Sequence, residues 1–137
     1  TQICAFIERT RKDDDDGPIY FGTIYLDEDS ALFGLMANMY DYPHDGLNVP
    51  VSASKGIPDT LSFDVAEVYE REKEYGHSFS WLSLEELEEV QKRYSAFPKA
   101  PNVGGTYGPH QELSAVIAAM EKLRDEFLEP RLVFWFG

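Results

Sequence analysis

The strongest constraint on the fold is the run Arg131-Leu132-Val133-Phe134-Trp135-Phe136 near the end of the chain. Consecutive apolar residues make a strand apolar on both faces, and such a strand belongs in the middle of a sheet. Ile3-Cys4-Ala5-Phe6-Ile7 is a second short apolar run bounded by charge, so the last strand is expected to insert beside the first. Ile19 to Tyr25 is rich in aromatic and branched residues and reads as a strand. It pairs with the first strand as a hairpin across the acidic turn Asp13 to Asp16, closed by Gly17-Pro18.

The remaining periodicity is helical. Asp27-Glu28-Asp29-Ser30 starts a helix with acids at the positive end of its dipole, and Leu32, Phe33, Leu35, Met36 and Met39 follow at helical spacing. Ser62 caps a helix to about Tyr75, with Val65, Val68, Tyr69 and Tyr75 on its apolar face. Gly76 is expected as a left-handed C-cap, which makes His77 to Trp81 a linker. Ser83 followed by Glu86 is a capping box, and Leu82 and Leu87 sit at the positions of a hydrophobic staple. Trp81, just upstream, is expected in the core. Leu84, Leu87 and Val90 carry that helix to about Tyr94. Pro109 opens a last helix whose stripe is Leu113, Val116, Ile117, Met120, Leu123 and Phe127, and Pro130 stops it. The expected fold is α+β in one domain, residues 1–137. It has a small, mostly antiparallel sheet, made of the N-terminal hairpin plus the C-terminal strand. About four helices pack on it, on one face.

A hydrophobic content of 43% is enough for a folded core in a chain of 137 residues. The net charge of −13 repels nucleic acid and anionic membranes. It keeps the protein soluble, or it forms an acidic face for a protein with a basic surface. Much of the excess falls in Asp13–Asp16, Asp27–Asp29, Glu67–Glu74 and Glu85–Glu89, and Glu85, Glu88 and Glu89 lie opposite the apolar stripe of their helix. Cys4 is the sole cysteine, which rules out an internal disulfide and a cysteine-based metal site. No secretory leader and no apolar run of bilayer length are seen, so a cytoplasmic location is expected.

No motif spells out a reaction, and no metal or cofactor is expected. The acidic run lacks calcium-loop spacing, since the first ligand position counted back from Gly17 falls on Lys12. His44 with Asp41 and Asp45 reads as part of a turn built on Pro43 and Gly46 before it reads as a metal or acid–base pair. Gly104-Gly105-Thr106 lacks the Lys of a phosphate loop and the strand before it. His77 with Ser78 and Ser80 reads first as a linker, next as a ligand contact, and last as a catalytic device. Lys55, Lys99 and Arg131 are the cations that could line a pocket for a small molecule between the two long loops.

Four stretches resemble an uncharacterised family of small proteins encoded by phages and prophages. They are the helix Ala31 to Ala37, the loop Lys55-Gly56-Ile57-Pro58-Asp59 leading to Ser62, the block Gly76 to Leu87, and the C-terminal Arg131 to Phe136. The family usually has a second His where this chain has Phe79, so a device of two histidines could not operate here. The resemblance implies a phage accessory protein without a settled activity. Three functions then stand in order. The first is an acidic inhibitor of a host defence protein. The second is a protein that binds or sequesters a small molecule or nucleotide signal. The third is a hydrolase centred on His77.

Overall fold

The computed structural model describes residues 3–11, 17–37 and 49–137. The readings placed on the acidic run 13–16, on Met39 and on the His44 turn lie outside those residues. The element order is β1 (Ile3–Arg11), β2 (Ile19–Leu26), α1 (Ser30–Ala37), α2 (Phe63–Glu72), β3 (His77–Ser83), α3 (Leu84–Ser95), α4 (Gln111–Leu123) and β4 (Leu128–Phe136). The fold is α+β. The strands form one antiparallel sheet in the order β2-β1-β4-β3.

β4 lies beside β1, as its apolar sequence demands, with Phe134 opposite Ala5 on one side and Ser80 on the other. Every side chain from Leu132 to Phe136 is fully buried. Leu132, Phe134 and Phe136 face a core built with α1, α3 and α4. Val133 and Trp135 face a second core with Phe6 and Val65 of α2. Helices therefore cover both faces of the sheet, where the sequence reading put them on one. The reason is in β4 itself: a strand apolar on both faces has to be covered on both.

The block 77–83 is a strand and not a linker. Leu82 and Ser80 point into the larger core while Trp81 packs against the smaller one, the alternation of a strand. The pairing register shifts between His77 and Ser80, and Ser78 takes the left-handed conformation with φ 58. Gly76 does not have that conformation. It is glycine for want of space: a Cβ there would meet Phe79 Cζ and Trp135 Cδ1 at 3.0 Å each. Tyr75, expected on the apolar face of α2, is 80% exposed, because the helix ends at Glu72.

The helix caps follow the sequence. Ser83 Oγ accepts the Glu86 N–H at 3.2 Å, and Glu86 Oε1 accepts the Ser83 N–H at 2.9 Å. Ser62 Oγ accepts the Val65 N–H, and Asp29 accepts the Leu32 N–H through one oxygen and a hydrogen bond from the Tyr94 hydroxyl, at 2.8 Å, through the other. α4 is capped by His110, whose Nδ1 accepts the Leu113 N–H, so Pro109 stands outside the helix. The helix ends at Leu123, not at Pro130, and Phe127 is left exposed. Pro130 instead lies inside β4 opposite Arg9, at a point β3 does not reach, so no second strand needs its missing N–H. Residues 98–106 fold back on themselves through a bridge between Pro98 and Thr106, with Gly104 and Gly105 at positive φ in the turn.

Gly76→Ala is expected to destabilise the protein by about 1–3 kcal/mol, the cost of overpacking a filled site. Tyr75→Ala, one residue away, should change stability by less than about 0.5 kcal/mol. Urea denaturation of the two variants checks both; equal stability would remove the close packing of Gly76 from the account.

Candidate functional site

The most built-up polar region lies where residues 54–60 cross the β3 edge and reach β4. Ser54 Oγ donates to the Phe79 carbonyl, and the Lys55 N–H donates to Ser80 Oγ at 3.1 Å. Ser80 is thereby satisfied although it is buried. Gly56 turns the chain at φ 73. The Lys55 ammonium then sits 3.8 Å from the centre of the Trp81 ring and pairs with Glu86 Oε1. That oxygen also accepts the Ser83 N–H, so one carboxylate serves the helix cap and the cavity lysine together. Burial opposes ionisation of Glu86, but the bonds from Lys55 and Ser83 outweigh it and hold its carboxyl below the ordinary value of 4.5.

At the other end stands Arg131. Its Nε and Nη2 both donate to Glu8 Oε1, at 3.0 and 2.7 Å, and Nη2 also donates to the Thr60 carbonyl. Glu8 is fully buried, and its second oxygen accepts the Ser62 N–H at 2.7 Å. The pair joins β1 to β4 and ties the start of α2 to the sheet. Between Lys55 and Arg131 lies a cavity of about 330 Å³, whose walls include Pro58, Asp59, Thr60 and Trp81.

The site residues read from the sequence are thus dispersed. Lys55 and Arg131 meet in the cavity, and Ser80 supports it from below. Lys99 does not join them; it is exposed in the 98–106 hairpin, where its N–H donates to the Gly105 carbonyl. His77 and Ser78 stand at the far end of β3. His77 is exposed, contacts Ser78 Oγ through Nδ1 at 3.1 Å and stacks on Phe136. Among the described residues no carboxylate pairs with it. Glu85 pairs with Arg124 at 2.7 Å and Glu89 with Arg93 at 3.0 Å. Glu88 borders a groove between α3 and α4 that also contains Ile117 and Ala118.

Trp81 is corrected from core to cavity wall. It is half-buried and carries Lys55 on its ring. The sequence reading passed over Asp59, Glu86 and Glu8 as site residues. Glu8 had a signal, a lone acid continuing an apolar strand run, and Asp59 stood inside a stretch already noted. Cys4 contacts Glu72; burial first, and then Glu72, push its thiol up to about 11, so it stays protonated and serves packing. Among the described residues no three His, Cys, Asp or Glu side chains converge to hold a metal, and no helix is long and apolar enough to cross a membrane. Comparison with protein-family models, with curated proteins and with solved structures returns no match.

A carboxyl held low when folded adds stability above its unfolded value, and that contribution is lost as pH falls through the folded value. Glu86 should therefore help make the protein less stable as pH drops below 4.5. Glu86→Gln keeps a side chain that can cap α3 but removes the charge facing Lys55. Its loss of stability on acidification should be smaller than the parent's, measured by urea denaturation at neutral and acid pH. Parallel curves would show that the Lys55–Glu86 pair adds nothing.

Proposed function

We propose that the protein is a binding protein, that the Lys55–Arg131 cavity is its site, and that the ligand is a small polar molecule. That molecule carries one anionic group and at least one hydrogen-bond donor. The observation that supports this reading is the convergence of Lys55, Asp59, Trp81 and Arg131 on one cavity of about 330 Å³. That volume lies at the small end of ligand pockets, and the wall combines an aromatic surface with charges of both signs. Arg131 Nη1 has no partner among the described residues, so that one nitrogen is available to donate to an anion. Asp59 is exposed and can accept from a donor on the same molecule. A nucleotide polyphosphate suits the cavity less well. Glu86 and Glu8 already neutralise its two cations, Lys99 stands elsewhere, and the chain carries −13 overall.

A second reading keeps the acidic face as a docking surface for a basic protein. It is favoured by Glu88 and Glu121, both exposed beside the apolar α3–α4 groove. It is weakened by the ion pairs that already occupy Glu85 and Glu89. With the family resemblance, this reading makes the chain a phage-encoded inhibitor of a defence protein in the host cytoplasm. Association with such a partner would slow as salt rises.

Titration with amino acids, small carboxylates and mononucleotides, followed by the indole N–H signals in NMR, separates these readings. A small carboxylate or amino acid should move the Trp81 signal. Lys55→Gln and Asp59→Asn should each weaken that binding by about tenfold or more. Asp59→Asn should leave stability within about 0.5 kcal/mol of the parent. Tightest binding by a nucleotide triphosphate, or no response at Trp81 to any probe, would contradict the proposal.

A further inference from the structure

The cavity between Lys55 and Arg131 carries a charge imbalance that narrows the ligand further. Lys55 is matched by Glu86, and Arg131 by Glu8. Asp59 is the third charged residue of the wall, and among the described residues its side chain has no ion pair and no hydrogen bond. The two pairs cancel, so the site keeps one unmatched charge, and that charge is negative. A ligand that brings only an anion adds to it. A ligand that covers Asp59 without offering a cation also takes its carboxylate out of water unpaired. The unmatched group therefore selects a cation. Arg131 Nη1, and an ammonium proton of Lys55 that Glu86 does not use, can still donate to an anion.

The positions for the two ligand charges lie close together. Arg131 Nη2 donates to the Thr60 carbonyl, and Asp59 is the residue before Thr60. Consecutive Cα atoms are about 3.8 Å apart. The guanidinium is thus within a residue of Asp59, and both line the same cavity without pairing. Opposite charges that near to each other on a small molecule sit on one carbon or on neighbouring carbons.

We propose, on the reading that this cavity is the binding site, that the ligand is an α-amino acid bound as its zwitterion. Its carboxylate takes Arg131 Nη1, its ammonium pairs with Asp59, and its side chain runs towards Lys55. Ile57, Pro58 and the Trp81 ring give that side chain an apolar wall. The zwitterion adds no net charge to the site and leaves no carboxylate unpaired. A 2-hydroxy acid of the same shape keeps the anion and a hydrogen-bond donor but lacks the positive charge. It therefore separates this proposal from the broader one, which it would satisfy.

The test titrates the full chain with each standard amino acid and with small carboxylates, following the Trp81 indole N–H. The tightest amino acid is then compared with its 2-hydroxy acid and with the amine left when its carboxylate is removed. It should bind about tenfold or more tighter than either analogue. In Asp59→Asn, the amino acid and its 2-hydroxy acid should come within about threefold of each other. Circular dichroism confirms that this variant, altered at one exposed side chain, stays folded. Equal binding of the amino acid and its 2-hydroxy acid to the parent would overturn the zwitterion and leave the cavity as the site. So would a small carboxylate that binds when no amino acid does, or a preference that survives in Asp59→Asn. No response at Trp81 to any of these probes would overturn the proposal and the cavity reading together.

Discussion

The structure depends on one buried ion pair, Glu8 with Arg131. Removing two charges from water is costly, and the attraction between them offsets this only when their remaining hydrogen-bonding groups are also satisfied. Here they nearly all are. Glu8 takes two bonds from Arg131 through one oxygen and the Ser62 N–H through the other, while Arg131 also reaches the Thr60 carbonyl. The pair lies directly across the β1–β4 register, so it pins the two central strands to each other. Its outward bonds pin the start of α2, and with it the second core layer around Trp135 and Val65. An apolar pair could hold the strands as well. It could not also take the backbone groups of residues 60 and 62, and it would leave the cavity without a cation at that end.

The cavity is then a by-product of how the second layer is anchored at two points. One point is Arg131 with Thr60. The other is Lys55, bonded through its N–H to Ser80 and through its ammonium to Glu86. Residues 56–59 bridge the two, with Ile57 packed against the second core and Trp81 forming the cavity wall beside them. The same carboxylate that caps α3 thereby positions the lysine, which links a helix start to the chemistry of the site.

Much of this was legible in the residues, and the failures have physical causes. The capping box at Ser83 and the cap at Ser62 are local motifs and appear where they were expected. β4 reads as central because its apolar residues are consecutive, and it is. The same observation implied cover on both faces, a consequence the helical periodicity alone does not reveal. β3 was missed because His77, Ser78 and Ser80 are poor strand formers, and its pairing comes from β4, far away in sequence. Arg131 and Lys55 were recognisable as cations near turns. That they meet, and that Lys99 does not join them, depends on tertiary placement that no spacing in the sequence encodes. Trp81 looked like core because it is large and next to a staple, but at a sheet edge one face of the ring remains available to Lys55.

The central claim is that Glu8 and Arg131 act as a unit that holds the second layer on the sheet. A double-mutant cycle on Glu8→Ala and Arg131→Ala, measured by urea denaturation, tests it most directly. Each single variant should lose about 3–5 kcal/mol, since each leaves a buried charge without its partner. The double variant should lose little more than either, giving a coupling nearly as large as one single loss. Losses that simply add would contradict the account, because the two residues would then stabilise the fold independently and the pair would anchor nothing.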